Sequence, residues 1–479
     1  MAMLTVDDII EATGGRLISG GTGSFTGASI DSRTINKGEL FFALKGPKFD
    51  GHDFLPDVVL KGAGGAVVDR NTRFKIQDLS DLPTGLAGGR QNPRFTIIAV
   101  EDTLKALQDS AHFLRIRRDL PVIAVTGSNG KTTTKEMIYR ILSSRYRVLK
   151  NEGNLNNHIG VPLSFMKIEP DDEAAVLEFG MNAPGEIRQL CEMMTPAYGV
   201  ITNIGPAHIG RLGSLEAVRS AKLEILDGIQ TAVLNADDDF LMQGVKGFKG
   251  RMVTFSINND AHVRAENVAV QDTGSRFTLA IRENARVKVH LHTHGVFNIY
   301  NALAASAVCY SLGMTAGEIK TALEKYRAFS SRFEVIKSGG VTLINDSYNA
   351  NPQSMKEAIK GLGSFKGGGR LVAVLGDMNE LGEFSGELHR TIGGEVTAAG
   401  IDVFVAVGKM MSLAAEEGQR QRNGRKILTP EIYKFNEVSD ARQGILDIIR
   451  QGDTVLVKGS RSMTMEKIVE KIRGRETEC

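Results

Sequence analysis

The residues whose types and spacing most clearly indicate chemistry lie in a short glycine-rich loop, TGSNGKTTT, with an apolar run before it and a helical pattern after it. Gly127 and Gly130 let backbone N–H groups approach a phosphate closely, and the helix adds its positive N-terminal end. Lys131 is placed to neutralise the outer phosphates, and the Thr132 hydroxyl can bind magnesium. Because Val125 stands where the common motif has glycine, the loop is a shortened variant. It predicts phosphate binding and leaves the use of the phosphate open.

Further candidate ligands follow the apolar runs that come after this loop. Glu178 ends AAVLEFG, His208 follows YGVITNIGPA, and Lys222 lies in a helical pattern around AKLEI. In open parallel sheets, ligands gather at the carboxyl ends of the strands. Together these side chains could bind one or two magnesium ions around a nucleotide. Each also has an ordinary interpretation, as a charge at a strand end, a loop histidine or a solvated helix lysine, so the spacing leaves the choice open.

Length and composition restrict the class of protein. A chain of 479 residues is too long for one core, and about three domains are expected. The formal net charge of +2 argues against nucleic-acid binding, which requires a concentrated basic surface. Cys191, Cys309 and Cys479 show no zinc or disulfide spacing, so we expect a cytoplasmic protein. The N-terminus lacks the basic residues of a signal peptide, and the uncharged stretch from Gly295 contains Asn298, so we expect no membrane insertion.

The chain divides into three regions by pattern. Short strand-like runs between glycine-rich turns in residues 1–100 predict a small mixed α/β domain, in which 79–93 is a surface loop. Compact apolar runs alternate with helical segments in 101–328, which is typical of a buried parallel sheet. The alternation begins anew in 329–479 and predicts a doubly wound domain. The predicted fold class is therefore α/β with three domains, a mixed N-terminal one, a central P-loop ATPase-like one and a C-terminal Rossmann-like one.

A series of longer motifs resembles the Mur ligase family. In order along nearly the whole chain, these motifs are TGSNGKTT, NEGNLNNHIGVPLS, EFGMNAPGEI, TNIGPAHIGRLGS, AKLEI, FNIYNALAA, SSRFEVI, NDSYNANP and LGDMNELGE. Mur ligases are the ATP-dependent amide-forming enzymes of peptidoglycan precursor synthesis. The resemblance implies that ATP converts a carboxylate into an acyl phosphate, which an amine then attacks.

Two features resemble the members of the family that add a terminal dipeptide. The N-terminal block DSRTINKGELFFALKGPKFDGHDF resembles a nucleotide-sugar domain. The C-terminal region carries NDSYNANPQSM and lacks the Asp-Asn-Pro-Arg motif of ligases that add diaminopimelate as the third residue. The resemblance thus implies UDP-N-acetylmuramoyl-tripeptide and D-alanyl-D-alanine as substrates. The alternatives are a ligase that adds the third amino acid, a folylpolyglutamate synthetase-like ligase, and, from another class, a nucleotide-dependent switch or binding protein.

The resemblance also implies roles for individual residues around ATP and magnesium. Thr132 and Glu178 would hold one magnesium ion, and His208 and Lys222 would hold a second. Carbamylation of Lys222 by carbon dioxide would turn a cation into an anionic oxygen donor. The implied catalytic residues are Lys131, Glu178, His208 and Lys222. The residues implied in ATP binding are Gly127, Ser128, Asn129, Gly130, Lys131, Thr132, Thr133, Asn298, Asn301, Arg332 and Asp346.

The two ends of the ligation reaction have their own candidates. For the UDP-linked substrate they are Ser32, Arg33, Lys48, Phe49, Asn154, Asn156 and Asn157. For the dipeptide they are Asn349, Asn351, His389, Ser460 and Arg461. Because water would destroy an acyl phosphate, we expect the third domain to close over a nucleotide held mainly by the second. We expect a monomer. Whether the third peptide residue is lysine or diaminopimelate is not evident from these residues, and neither is the general base.

Overall fold

The computed structural model describes residues 4–72, 95–271, 273–282, 285–365, 368–422 and 430–474. Within these residues the strands form four sheets. Sheets of two and five strands lie in the N-terminal region, whose strands are β1 Leu4–Thr5, β2 Arg16–Ser19, β3 Ser24–Phe25, β4 Ala28–Ser29, β5 Leu40–Phe42, β6 Gly65–Asp69 and β7 Thr96–Val100. The helices there are α1 Val6–Thr13, α2 Leu55–Leu60 and a 3₁₀ helix at Gly51–Phe54. The predicted surface loop at 79–93 lies outside the described residues.

The central region contains a nine-stranded sheet. Its strands are β8 Val122–Thr126, β9 Val148–Lys150, β10 Ala174–Glu178, β11 Tyr198–Ile201, β12 Thr231–Asn235, β13 Arg251–Ser256, β14 Val263–Gln271, β15 Gly274–Ile281 and β16 Ala285–Leu291. Its helices are α3 Thr103–Ile116, α4 Lys131–Leu142, α5 Gly160–Phe165, α6 Glu186–Met194, α7 Ile209–Leu212, α8 Leu215–Leu223, α9 Asp239–Gly244, α10 Val296–Ser311 and α11 Ala316–Lys325, and a 3₁₀ helix spans Glu224–Leu226. The strand order is β16-β15-β14-β13-β12-β11-β8-β10-β9.

The central sheet is parallel over most of its width. Strands β8, β10 and β12 are buried along their whole length, as their unbroken apolar runs predict. Helix α4 covers one face through Met137, Ile138, Ile141 and Leu142, which share one side of the helix. The prediction of a parallel sheet misses its edge, where β14, β15 and β16 pair antiparallel. The uncharged stretch from Gly295 forms α10, and no helix among the described residues could span a membrane.

The C-terminal region contains a six-stranded sheet with the order β17-β18-β22-β19-β20-β21. Its strands are β17 Glu334–Ser338, β18 Val341–Asp346, β19 Leu371–Gly376, β20 Val403–Val407, β21 Glu431–Phe435 and β22 Thr454–Lys458. Its helices are α12 Pro352–Gly363, α13 Ser385–Ala398, α14 Met411–Arg422, α15 Val438–Ile448 and α16 Glu466–Arg473, with 3₁₀ helices at Gly382–Phe384 and Arg461–Met463.

Alternate side chains of the C-terminal strands enter two separate cores. Ala373 and Leu375 of β19 pack in one core, and Val372 and Val374 pack in the other. Helices cover both faces, and among the described strands of this sheet only β17 pairs antiparallel with its neighbour. This arrangement confirms the doubly wound, Rossmann-like prediction and, with the other sheets, the α/β class. The exact domain boundaries at 100/101 and 328/329 stay predictions.

Candidate active site

The phosphate loop connects β8 to α4, and its two glycines are required by their surroundings. Gly127 has a φ of 145°, and a methyl group there would lie 1.9 Å from Thr202 Oγ1. Gly130 has a φ of 80°, and a methyl group there would lie 2.2 Å from Asn301 Oδ1. A larger residue at either position would strain the backbone and collide with a neighbour. The loop therefore has the close-packed form that its sequence predicts.

Helix α4 presents an open N-terminus to the space above the loop. Gly130 is its N-cap and supplies no capping side chain. The first N–H groups of a helix lack partners within the helix, and the helix dipole makes this end positive. An anion bound here would therefore receive backbone hydrogen bonds and favourable charge.

The half-buried Lys131 and the buried Lys222 converge on one carbonyl oxygen beside the loop. Lys131 Nζ donates to Gly127 O at 2.9 Å, and Lys222 Nζ donates to the same oxygen at 3.0 Å. Burial lowers the pKa of Lys131, and Arg332 adds to this effect while Glu178 opposes it. Burial lowers the pKa of Lys222 well below its ordinary value, and the charge of Lys131 acts in the same direction. Phosphate charge would relieve this crowding of cations.

Glu178 lies at the carboxyl end of β10 and is 3% exposed. Its Oε2 accepts from the Thr132 hydroxyl at 2.7 Å, and its Oε1 accepts from Asn156 Nδ2 at 2.8 Å. Asn151 Oδ1 accepts from the Glu178 backbone N–H at 2.8 Å, which fixes the end of the strand. The carboxylate and hydroxyl are the hard oxygen donors that magnesium prefers. No group of three histidine, cysteine or carboxylate side chains suited to a metal occurs within the described residues.

His208 faces the C-terminal region. It adopts a φ of 60°, and its Nδ1 lies 2.7 Å from Glu380 Oε2. The N–H of Gly210, two residues on, donates to Glu380 O at 3.0 Å. Hydrogen bonding to His208 lowers the pKa of Glu380. The turn after β11 is thus in contact with the turn that precedes α13.

The C-terminal region also reaches the phosphate loop with a cation. Arg332 Nη2 donates to Thr132 Oγ1 at 3.3 Å, and the guanidinium carbon lies 3.8 Å from the centre of the Tyr348 ring. The Nε atom of Arg332 is buried without a hydrogen-bond partner. Asp346 Oδ2 accepts from Lys458 Nζ at 2.6 Å, and the same lysine donates to Asn349 O at 2.9 Å. These contacts fix the first turn after β18 at the rim of the loop.

Most predicted residues line one cavity of about 690 Å³. From the central region these are residues 128–133, Asn154, Asn156, Asn157, Glu178, His208, Lys222, Asn298 and Asn301, and from the C-terminal region Arg332, Asp346, Asn349 and Asn351. Asn298 Nδ2 donates to His294 O at 2.8 Å, and Asn301 Oδ1 accepts from Thr134 Oγ1 at 3.2 Å. The phosphate loop therefore shares one cavity with candidate residues for the UDP-linked substrate and for the dipeptide.

The remaining dipeptide candidates do not line this cavity. His389 is fully buried, with Nε2 accepting from Met378 N–H at 2.9 Å and Nδ1 lying 2.7 Å from Ser385 O. Ser460 is 3% exposed, and its hydroxyl accepts from Asn379 N–H at 2.7 Å. Arg461 pairs with Glu466 at 3.2 Å on the surface. His389 and Ser460 therefore support neighbouring turns, and their contact with the dipeptide stays a prediction.

The N-terminal candidates do not line this cavity, and Ser32 among them is buried. Arg33 donates two hydrogen bonds to Asp31, at 2.9 and 2.7 Å, and its side chain is 86% exposed. These bonds lower the pKa of Asp31 to about 2. Lys61 Nζ donates to Ser32 O at 2.7 Å. Phe49 is 71% exposed and Lys48 beside it is also exposed, so this surface could receive the flat base of a nucleotide.

Sequence reasoning missed several residues of the cavity. Tyr348 supports Arg332, and Lys458 supports Asp346. Gln353 and Asn203 contact Asn129 of the phosphate loop. Tyr348 and Gln353 lie in NDSYNANPQSM and Lys458 lies in DTVLVKG, so their position at or after the ends of strands was the available signal. Their partners come from distant parts of the chain, which no local pattern reveals.

Comparison with known proteins gives consistent matches along the chain. Three family models match, described as Mur ligase family, catalytic domain at 24–113, Mur ligase middle domain at 125–309, and Mur ligase, glutamate ligase domain at 331–461. The crystal structure of MurF from Acinetobacter baumannii superposes with a TM-score of 0.87 at 30% identity over 99% of each chain. MurF ligase from Thermotoga maritima in complex with ADP superposes with a TM-score of 0.79 at 26% identity over 95% of this chain and 98% of that one.

A sequence relative extends the match to full length. UDP-N-acetylmuramoyl-tripeptide–D-alanyl-D-alanine ligase of Escherichia coli (strain K12) is 35% identical over 100% of both chains. The three matched family models follow one another along the chain, and the phosphate loop lies within the second. Because the match extends over the whole length of both chains and the three family models agree with it, the chain belongs to the Mur ligase family.

Proposed function

We propose that this protein uses ATP to join D-alanyl-D-alanine to UDP-N-acetylmuramoyl-tripeptide in peptidoglycan precursor synthesis. The observation that carries the proposal is the shared cavity, in which the phosphate loop of the central region faces Arg332 and Asn349 of the C-terminal region. The E. coli relative, 35% identical over its whole length, carries the name of this activity. This favours the dipeptide-adding reaction over the addition of the third amino acid and over folylpolyglutamate synthesis. A cytoplasmic location and a monomeric state stay predictions.

In the first step the carboxylate of the tripeptide attacks the γ-phosphorus of ATP. A new oxygen–phosphorus bond forms, the bond to the β-phosphate oxygen breaks, and ADP leaves. Lys131, Arg332 and the N-terminus of α4 surround the transferred group with positive charge. This charge offsets the repulsion between two anions brought into contact, which is the main barrier to such a transfer.

In the second step the free amine of the dipeptide attacks the acyl carbon. The carbon–oxygen bond to phosphate breaks, inorganic phosphate leaves, and an amide remains. The C-terminal residues Asn349 and Tyr348 line the cavity, and we infer that the amine approaches from their side. Because Arg332 contacts Thr132 only when the two regions meet, closure can exclude water before the acyl phosphate forms.

The residues present fit one magnesium ion directly. Thr132 Oγ1 and Glu178 Oε2 lie 2.7 Å apart, and both are oxygen donors. Magnesium held there would neutralise charge on the outer phosphates of ATP. The Lys222 amine donates a hydrogen bond to Gly127 O and offers no oxygen to a metal ion. It would fit a second metal site with His208 only after conversion to a carbamate, which supplies oxygen donors. The lowered pKa of Lys222 favours the neutral amine that reacts with carbon dioxide.

The UDP-linked substrate would extend from the cavity to the N-terminal region, and ATP would lie beside the phosphate loop. Asn154, Asn156 and Asn157 line the cavity beside Glu178, where they could bind the sugar or the diphosphate. The exposed surface around Arg33 and Phe49 would hold the uridine end. Asn301 lies against Gly130, and its Nδ2 donates to Asn298 Oδ1. Both asparagines would face the nucleotide.

The test is acceptor dependence. Purified protein is supplied with ATP, magnesium and the tripeptide precursor, and phosphate release is measured with D-alanyl-D-alanine or with single amino acids. We expect release that requires the dipeptide, together with a product whose mass corresponds to the pentapeptide. Release that requires a single amino acid would favour the third-residue ligase, and turnover without any amine would favour a nucleotide-dependent switch.

A further inference from the structure

The side-chain amide of Asn129, in the phosphate loop, is engaged by the C-terminal region. Its Oδ1 accepts from Asn351 Nδ2 at 2.7 Å, and its Nδ2 donates to Gln353 Oε1 at 3.2 Å. Asn129 was expected to bind ATP and Asn351 to bind the dipeptide. In the structure each amide instead binds the other, across the boundary between the two regions.

The backbone of Asn129 is fixed from the opposite side. Its N–H donates to Asn203 Oδ1 at 3.0 Å, and its carbonyl oxygen accepts from Asn203 Nδ2 at 3.1 Å and from Thr202 Oγ1 at 2.5 Å. These partners lie directly after β11. These hydrogen bonds hold the backbone of Asn129 against the central sheet, and from this position its side-chain amide reaches the C-terminal region.

The C-terminal partners are equally constrained. Asn351 is the N-cap of α12, and its Oδ1 accepts from Ser354 N–H at 2.9 Å. The preceding Asn349 is held through its carbonyl oxygen by Lys458 at 2.9 Å. A contact at Asn351 thus sets the position of the whole turn 346–351, which lines the cavity.

Gly205 provides the space that Gln353 occupies. A methyl group at Gly205 would lie 1.9 Å from Gln353 Oε1 and 3.1 Å from its Cδ. The carbonyl of Gly205 accepts from Ser128 Oγ at 2.9 Å, so this position is itself part of the phosphate-loop structure. The Gln353 amide occupies the space beside Gly205 that a side chain at this position would take.

We propose that Asn129, Asn351 and Gln353 form an amide latch that positions the turn 346–351 against the phosphate loop for attack by the amine. Gln353 and Asn351 are positioning residues, and the Asn129 side chain aligns the two regions instead of binding ATP. This inference rests on the proposed function. Neutral amide hydrogen bonds suit the task, since each contributes modestly in water and can break when product leaves.

Two variants test the latch from opposite sides. Gln353→Met removes the acceptor while keeping the length of the side chain, and Gly205→Ala fills the gap with a methyl group. Each should lower kcat/KM for the dipeptide by about fivefold, the loss expected for one hydrogen bond. For Gln353→Met, the affinity for ADP and the melting temperature should stay at wild-type values. Gln189→Met is the control, because it removes an amide–amide contact (3.4 Å to Gln108) that does not cross between regions.

The double variant supplies the decisive comparison. If both changes break one contact, Gln353→Met should cause no further loss in the Gly205→Ala background. Small-angle scattering should show a larger radius of gyration for both variants than for wild type and the control. Unchanged dipeptide kinetics and size in Gln353→Met, or fully additive losses, would overturn the latch. Absence of any dipeptide-dependent reaction in wild type would instead overturn the proposed function, and scattering would still test the contact.

Discussion

Closure of the C-terminal region onto the central region can be blocked by a single methyl group at Gly210. This glycine lies in α7, where its N–H donates to Glu380 O at 3.0 Å. A methyl group there would lie 2.4 Å from Gly382 N, 2.6 Å from Leu381 C and 2.7 Å from Glu380 O. These are backbone atoms, so no change of rotamer can relieve the collision. Gly210 is helical, so alanine suits its own backbone and the collision occurs only in the closed contact.

The size of the effect follows from these contacts. Overpacking costs about 1–3 kcal/mol and loss of the hydrogen bond about 1 kcal/mol, so Gly210→Ala should disfavour closure by about 2–4 kcal/mol. At about 1.4 kcal/mol for each factor of ten, the dipeptide-dependent rate should fall by about 30- to 1000-fold. The contact between His208 and Glu380 should be lost at the same time.

The assay is phosphate release with saturating ATP, tripeptide precursor and dipeptide, accompanied by ADP titration and thermal unfolding. ADP affinity and melting temperature should change little, because both regions keep their own cores. Gly317→Ala is the matched control, since a methyl group in helix α11 would lie 4.0 Å from Thr315 Oγ1 and meet nothing nearer. A Gly210→Ala enzyme with the rate of wild type would refute the reasoning, because the contact could then not form during turnover.

Three further predictions address separate parts of the molecule. Lys131→Met should reduce phosphate release by at least about 100-fold, as expected for loss of a charged donor at the transferred group, while Lys131→Arg should retain part of the activity. Lys458→Met leaves Asp346 without its cation and should lower the free energy of unfolding by about 3–5 kcal/mol in urea denaturation, whereas Lys458→Arg should lose less. Hydrogen bonds from Arg33 lower the pKa of Asp31 from 3.8 to about 2. The stabilisation that these bonds give the folded protein is therefore complete at pH values above 3.8 and is lost as the pH falls through about 2. Arg33→Gln should therefore have a lower melting temperature than wild type at neutral pH, and the two proteins should melt at the same temperature in strong acid. An equal difference in melting temperature at the two pH values would contradict the stabilisation of Asp31 by Arg33.

The sequence predicted the parts of the fold that depend on local pattern. Unbroken apolar runs such as those of β8 and β10 identified buried parallel strands, because such strands are covered on both faces. The antiparallel edge was missed because β14 and β16 alternate buried and exposed residues, a weaker signal than a continuous run. Gly127, Gly130 and Lys131 were predictable since loop, strand and helix are adjacent in the chain.

Contacts between distant segments could not be predicted in the same way. His208 was expected to face a metal ion, and its contact with Glu380 depends on how two sheets meet. Asn129 was assigned to ATP and Asn351 to the dipeptide by the resemblance, and the hydrogen bond between their side chains joins positions 222 residues apart in the chain. His389 was a candidate for the dipeptide, and the structure shows that it is fully buried, with its Nε2 accepting from the N–H of Met378. The types of polar residue in a sequence do not show which of their groups form hydrogen bonds with one another.

The central claim is that a substrate carboxylate receives the phosphoryl group of ATP before the amide forms. The most direct measurement uses a tripeptide precursor with ¹⁸O in its terminal carboxylate and follows the label into inorganic phosphate by mass spectrometry. Because the carboxylate oxygen that attacks phosphorus leaves with it, each released phosphate should carry one ¹⁸O from a fully labelled carboxylate. Unlabelled phosphate, released together with the amide product, would contradict the acyl-phosphate account.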